Sequence, residues 1–551
     1  MGSALLWLRG RPNAGLTALG AFLGSFAPSA GLALSGLAVC LLLLRGWRLA
    51  LPLAVAAACA FGSSAAWAGL SVELPRTVSG TARLVTDPTA EYGAVRAEAV
   101  VGGRHWDLWA HGPEATALAR LSAGRPFGIR AKSSDLRGRA APYLRRRHIT
   151  GRLEAVEIRP AGEGSPAVRV ANWVRRKIEK GASHLPDPAR GLFLGMVLGD
   201  DRAQDPATEQ RFRAAGLSHL LVVSGQNVAF ALALFAPLVA RGATGTRLIC
   251  TLAVLGLFGS VVRWEPSVMR AIGMAALVAL TRSVGAAAQA WSLLCAAVTV
   301  LLMIDPFLAG SISFLLSVAA SAGLALITPR LMNWVPGPRV LAEAFCTTLG
   351  AQIAVAPLLL IVFGAIPLMS VPANVLAAPA AGPAMTWGMA VGVPAGLIGD
   401  PVAGWLHLPT RLLVGWVDGV ASLSATAGGP VLRTPGQPPR SPSGTRVVSA
   451  AGATVVIVDR PRPELAEELR TAGVTHIDLL VSVESTPRAA RCALGIRRLA
   501  SVRRTLGPAA SHDPGSTRVS GPGTARAGPI ELRLEPVGRR LRVDVSVGSK
   551  R

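Results

Sequence analysis

Apolar runs set the plan of this chain. Three come in quick succession near its start, at 14–27, 30–44 and 49–67, parted by Pro28 and by Arg45 and Arg48. Eight more follow at 215–240, 246–262, 267–281, 287–304, 307–327, 341–363, 368–398 and 402–425. Most reach the length of about 18 residues that a helix needs to cross hydrocarbon. Pro367, Pro372, Pro379, Pro383 and Pro394 predict that the run at 368–398 is broken, which is tolerated at membrane depth where a helix lines a cavity or packs on protein.

Between the two sets the period changes. Over 77–160 short alternating runs (GTARLV, GAVRAEAVV, RHWDLWA, PFGIRA, ITGRLEAVEI), most bounded by Gly, Pro or Asp, predict five strands joined by turns. Five strands in so short a stretch suit a small barrel of the OB type. Over 170–185, Val170, Val174 and Ile178 recur at helical spacing. Arg175, Arg176, Lys177, Glu179 and Lys180 fall largely on the other side, as in an interfacial amphipathic helix. Next, GLFLGMVLG sets Gly191, Gly195 and Gly199 on one face, a spacing that permits close packing in lipid. After the last apolar run comes a Pro-rich linker, then TVVIVD at 454–459, a helical stretch at 463–472 and HIDLLV at 476–481, with a hairpin at 530–534 and 541–547. The shifts divide the chain at 1–70, 76–165, 168–186, 187–428, 429–445 and 446–551.

Composition agrees with a polytopic membrane protein: 51% of the 551 residues are hydrophobic. The net charge of +25, from 56 basic and 31 acidic residues, is mostly arginine and says less than its placement. With Arg9 and Arg11 inside, as a retained anchor rather than a cleaved leader places them, the arginines of the short later loops fall inside, apart from Arg263. That sets about eleven spans, a multi-pass cytoplasmic-membrane location and both soluble domains outside. The cysteines offer neither a disulfide framework nor a CxxC metal site.

Polar side chains at membrane depth are costly unless they face protein or water. Ser218, His219, Ser224, Gln226 and Asn227 crowd into GLSHLLVVSGQNVAF at 216–230. Two readings stand: a polar lining for something that crosses the membrane, or hydrogen bonds between helices. On a helix from Ala215, His219 and Gln226 share one face and Ser224 and Asn227 another, with Gly225 suggesting a local break. No His, Cys, Asp or Glu stands three or four residues from His219, so metal ligation there is not expected. Arg270 sits inside an apolar run and needs a partner or an aqueous path, which makes it a candidate for attracting phosphate. Gln352 and Asn374 are weaker lining candidates, and Arg263 and Glu265 are expected to pair with each other. In the barrel region, 16 Arg or Lys stand against 9 Asp or Glu from 76 to 170. Arg145, Arg146 and Arg147 form a candidate phosphate-contacting run, with Tyr92, Trp106 and Trp109 as stacking platforms. A solvated basic face over buried aromatics explains the same residues.

The central motifs resemble the ComEC family of DNA-uptake channels. They are LFLGMVLGDD at 192–201, FRAAGLSHLLVVSGQNV at 212–228, EPSVMRA at 265–271, DPFLAGSISFLLSVAAS at 305–321, AQIAVAPLLLIVFGAIP at 351–367 and PANVLAAPAAGP at 372–383. The resemblance implies a channel that admits one DNA strand, an outside domain that receives DNA, membrane lipid around the helices, and separate receptor and motor proteins. It also implies a metallo-β-lactamase-like nuclease domain at the C-terminal side. Here the chain departs: HIDLLV should run into HxHxDH, and SVESTP follows instead. The tail is therefore expected to be a degenerate, non-catalytic version of that fold, holding no metal and needing no cofactor. Without GxxxxGK[ST], the chain is not expected to hydrolyse ATP by that route. The reading is a non-enzymatic channel for single-stranded DNA; the alternatives are a membrane hydrolase, or a transporter of a small or lipid-linked substrate.

Overall fold

The computed structural model describes residues 13–26, 47–70, 74–91, 94–136, 141–240, 242–285, 289–427, 431–433, 444–450, 453–462, 465–466, 469, 474, 476–538 and 540–547. The chain forms two compact units, one of residues 1–355 and 371–423, the other of 356–370 and 424–551. The expected helix at 30–44 lies outside the described residues.

In the first unit, α1 (Asn13–Phe26) and α2 (Trp47–Leu70) cross where glycine removes the side chain. A Cβ on Gly24 would stand 2.0 Å from the carbonyl oxygen of Ala56. The alternating region then closes into a barrel. Its strands are β1 (Thr77–Leu84), β3 (Ala94–Val101), β4 (Arg104–Ala110), β5 (Pro126–Ser134) and β6 (Ile149–Pro160), with the short β2 (Thr89–Glu91) added on β3. The order is β1-β5-β6-β4-β3, and β1 pairs back onto β3. Only β4 and β6 run parallel. This is the five-stranded OB-type barrel that the alternation predicts. Trp106, Leu108, Phe127 and Leu153 point inward from it, and α3 (Gly112–Ala119) closes one end through the buried Leu118.

After α4 (Ala141–Arg145) and the amphipathic α5 (Pro166–Gly181) come α6 (Ala189–Leu198), α7 (Pro206–Ala214), α8 (Gly225–Val239), α9 (Thr244–Val261), α10 (Pro266–Ser283), α11 (Ala290–Ile304), α12 (Ile312–Leu326), α13 (Thr328–Met332), α14 (Arg339–Phe363), α15 (Ser370–Ile398), α16 (Val402–Leu406) and α17 (Leu408–Ala427). Among the described residues, five helical segments are long and apolar enough to cross a membrane: Pro52–Leu70, Ser218–Pro237, Thr244–Val261, Ile312–Met332 and Ala342–Phe363. Two expectations change here. The run at 368–398 is one continuous helix with Pro379, Pro383 and Pro394 inside it. Each proline deprives the carbonyl four residues back of its donor without ending the helix. The chain breaks instead between α7 and α8, where a helix from Ala215 was expected.

In α5 the inward face also differs from the sequence pattern. Ile178 is buried, but so are Asn172 and Arg175, while Val170 and Trp173 are exposed. The helix rests on α15 through glycines, since a Cβ on Gly396 would stand 1.9 Å from the Lys177 carbonyl oxygen.

The second unit is an α/β sandwich. A five-stranded sheet contains β7 (Thr445–Ala450), β8 (Ala453–Val458), β9 (Leu479–Ser482), β10 (Thr505–Pro508) and β11 (Thr517–Val519). All but β7 run parallel. One face is covered by α18 (Pro487–Leu499), which buries Ala489, Cys492, Ala493 and Ile496. The other face meets a meander of β12 (Gly523–Ala527), β13 (Ile530–Val537) and β14 (Arg540–Val547). The expected strand at 454–459 and the hairpin are present, whereas HIDLLV is divided at Asp478, with Leu479–Ser482 in this sheet and His476–Ile477 pairing with Ser501–Val502. Most of the expected helical stretch at 463–472 lies outside the described residues, and α18 and β10 to β12 had no counterpart in the expectation.

Candidate functional site

The broken stretch begins with a Schellman end on α7. Gly216 takes φ +72°, the Leu217 amide donates to Phe212 at 2.8 Å, and the Gly216 amide donates to Arg213 at 3.1 Å. A single turn at Ser218–Leu220 follows, and Ser224 then stands extended as the first cap of α8. This irregular backbone fits because α6 presents glycine to it. A Cβ on Gly195 would lie 2.6 Å from the Leu221 carbonyl oxygen, and one on Gly191 would lie 2.2 Å from that of Ala203. The glycine spacing thus serves close packing, although against loop backbone rather than another helix.

The polar residues divide by role. Asn227 is fully buried, its Nδ2 donating to the Met196 carbonyl at 2.6 Å, with the Ser224 hydroxyl 3.4 Å from its Oδ1. Asn227 therefore ties α8 to the last turn of α6. Gln226 is exposed beside Gly382 of α15, and His219, also exposed, hydrogen-bonds Asn374 of the same helix. So His219 and Gln226 both border α15, one at Asn374 and the other at Gly382, about two helical turns further along. Gln352 lies half-exposed on α14, and no hydrogen bond joins it to this group.

Arg270 reaches the start of α8 from α10. It is 8% exposed, its Nε donates to Ser317 Oγ at 2.8 Å and its Nη1 to Met274 Sδ at 3.1 Å. Its Nη2 lies 2.7 Å from where a Cβ of Gly225 would be, so glycine leaves room for the guanidinium at the start of α8. Among the described residues no carboxylate pairs with it. Arg270 and the amide end of α8 together make a local excess of positive charge.

The barrel joins the helices through a buried ionic cluster that sequence reasoning missed. Asp87, in the turn after β1, accepts two hydrogen bonds from Arg263 and one from the Ala123 amide at 2.9 Å. Arg263 thus pairs with Asp87 rather than with Glu265, from a left-handed backbone with φ +62°. Arg175, 4% exposed, lies 3.2 Å from both Asp87 and Asp200, and its Nη1 donates to the carbonyls of Leu198 and Val261 at 3.0 and 2.9 Å. Burial alone would raise the Asp87 carboxyl, but Arg175 and Arg263 outweigh it and hold it below the usual carboxylate range. Asp200 is likewise held low against its burial by Arg202 and Arg175.

Of the basic run, Arg145 is exposed, Arg146 packs over Gly310, and Arg147 pairs with Glu98 at 3.0 Å. His148 beside them lies 3.0 Å from Asp305. Burial pushes the Glu98 carboxyl up despite Arg147. Trp106, 2% exposed, is a core residue whose Nε1 bonds the Val101 carbonyl, so neither ring face is open for stacking. Trp109 is half-buried on the outer face, with Arg96 and Arg152 5.4 and 4.9 Å from its ring centre, both anchored on the buried Asp107. It borders a cavity of about 440 Å³ with Lys132, Arg152 and Glu154. Tyr92 lies outside the described residues.

Among the described residues no group of three or more His, Cys, Asp or Glu is placed to hold a metal ion. His476 and Asp478 stand 3.4 Å apart at the start of the sheet, and Glu484 bonds Arg540 at 2.6 Å beyond its far end.

Comparison with known proteins places the broken stretch in context. The family model described as "Competence protein" matches residues 196–457. "ComE operon protein 3" of Bacillus subtilis (strain 168) is 27% identical over 240 residues, 43% of this chain and 30% of that protein. "Uncharacterized protein YcaI" of Escherichia coli (strain K12) is 25% identical over 211 residues, 35% of this chain and 28% of that protein. The matches thus span less than a third of either relative. No solved structure matches. The broken stretch, Arg270, Asn374 and most of the apolar helices fall inside residues 196–457, the segment that matches the competence protein family model.

Proposed function

We propose that this chain is the cytoplasmic-membrane channel through which single-stranded DNA passes during DNA uptake. The observation that carries the reading is the break at 216–224 with the start of α8, where His219 bonds Asn374 of α15, Gln226 lies beside Gly382 of the same helix, and the carboxylate-free Arg270 lies against Gly225, inside the segment matched by the competence family model. Irregular backbone at membrane depth belongs where it packs on protein or borders water, and an unneutralised guanidinium there attracts a phosphate chain. Ser224 and Asn227 brace this lining. The barrel, with Trp109 and the exposed Arg145 on its surface, receives the strand outside the membrane, and about eleven spans place the tail outside as well. The strand is delivered and driven by separate receptor and motor proteins.

The tail takes part without cutting DNA. Its sheet keeps the α/β layout, while the loop after β9 carries Glu484, Ser485 and Thr486 where a two-metal site needs imidazoles and carboxylates. A strain lacking the chain tests the proposal: transformation by added DNA should be lost and restored by the intact gene. Normal transformation without it sinks the channel reading, and metal-dependent hydrolysis of single-stranded DNA by the purified protein sinks the non-nuclease part.

A further inference from the structure

A cavity of about 530 Å³ opens beyond the carboxyl ends of β8 and β9, lined by Arg460, Pro461, Glu484, Thr486, Pro487, Arg488 and Arg491. Crevices at the carboxyl ends of parallel strands are where α/β sheets take their ligands. The lining is basic, and the nearby carboxylates are occupied elsewhere. Asp459 is bonded by Arg446 at 3.1 and 3.0 Å, and Glu484 by Arg540 at 2.6 Å. Among the described residues no carboxylate pairs with Arg460, Arg488 or Arg491, and all three are exposed. Two of them also work against their own helix. Arg488 and Arg491 sit in the first turns of α18, which has no acidic residue in its first turn. Cations at that end oppose the helix dipole. Three exposed arginines thus face one concave surface.

We propose that this cavity binds the phosphodiester backbone of a single-stranded nucleic acid without cleaving it. Arg460, Arg488 and Arg491 contact the phosphates, and the Pro461 and Pro487 rings flank the sugars and bases. A strand is favoured over a lipid headgroup by the cavity's walls: none of its lining residues is a large exposed hydrophobic that would enter a bilayer. The proposal rests on the channel reading for the source of the strand, not for the site.

The test uses the full chain in zwitterionic-lipid nanodiscs and an oligothymidylate carrying photoreactive 4-thiothymidine. Illumination should attach the probe to peptides holding 460–461 and 484–491. The exposed triple variant R460Q/R488Q/R491Q should lose those adducts while keeping any on the barrel, and its log-affinity against log-salt slope should fall by about 2, near 0.7 per phosphate released. Absence of tail adducts in the unaltered chain overturns the site, and so does an unchanged salt slope in a variant that unfolds at the unaltered temperature. Tail-dependent binding of phosphatidylglycerol vesicles without oligonucleotide adducts also overturns it, in favour of lipid. A transformation defect without tail adducts fails this site alone, and tail adducts without a transformation defect fail the channel reading alone.

Discussion

Arg263 grips Asp87 with two parallel hydrogen bonds, Nε to Oδ2 at 3.0 Å and Nη2 to Oδ1 at 2.9 Å, across 176 positions of sequence. The pair joins a barrel turn to the end of α9, and the buried Arg175 leans on the same carboxylate. Removing one partner of a buried ion pair leaves the other charge uncompensated, at about 3–5 kcal/mol. Asp87→Ala should therefore lower the thermal midpoint of the purified protein and open the barrel junction to protease. Cleavage and melting like those of the unaltered chain would show that the pair does not hold the junction.

The same cluster sets a pH dependence. Asp87 and Asp200 titrate below their ordinary value of about 3.9. As pH falls, the unfolded chain takes up their protons first, so their stabilisation is complete above the unfolded value and lost through the lower folded values. Glu98 and Glu179, both raised by burial, act in the opposite direction. The comparison is thus between the chain and its Asp87→Asn, Asp200→Asn double variant, melted from neutral to acid pH. The variant should fall less steeply below about pH 4; equal slopes would remove these two groups from the account.

Arg270→Ala should reduce DNA uptake about tenfold or more, equivalent to ~1.4 kcal/mol, with the amount of protein in the membrane unchanged. Arg270→Lys keeps the charge without the guanidinium's hold on Ser317 and should fall between. Uptake at the unaltered level in the alanine variant would leave Arg270 a packing residue.

Asn227→Leu strands the Met196 carbonyl in a dry interior, which costs about 1–3 kcal/mol. Gly191→Ala drives a methyl group into the Ala203 backbone, with about 1–3 kcal/mol of overpacking. Both should lower the thermal midpoint. Ser224→Ala, whose 3.4 Å contact is long, should leave it nearly unchanged. A melting series in which all three behave alike would mean that the α6–α8 junction is not held as described.

Periodicity carried the barrel and the apolar helices, because strand alternation and long uncharged runs are local signals. Gly225 suggested a break, though continuity of the run at 215–240 argued for a helix from Ala215; Gly216, whose positive φ ends α7, carried the signal that was passed over. The reverse error arose at 368–398, where prolines suggested a break that the helix absorbs. The ionic cluster was not legible: Asp87, Arg175, Asp200 and Arg263 are far apart in sequence, and Arg175 falls on the polar side of α5 by spacing alone. The helix α18 was legible and missed. Thr486 and Pro487 are a cap and a first helical residue, and Ala489, Cys492, Ala493 and Ile496 repeat at helical spacing.

Arg175 holds carbonyls from the ends of α6 and α9 while its charge is shared with a barrel aspartate and a loop aspartate. Mechanically that is a keystone: four segments of chain lean on one side chain, and none can shift without dropping a bond. The mouth of the proposed path is then a fixed frame, and the movement that admits or stops a strand has to come from parts that carry slack. The proline-bearing α15, with carbonyls left without helical donors at Val375, Pro379 and Ala390, is where the channel proposal puts that slack.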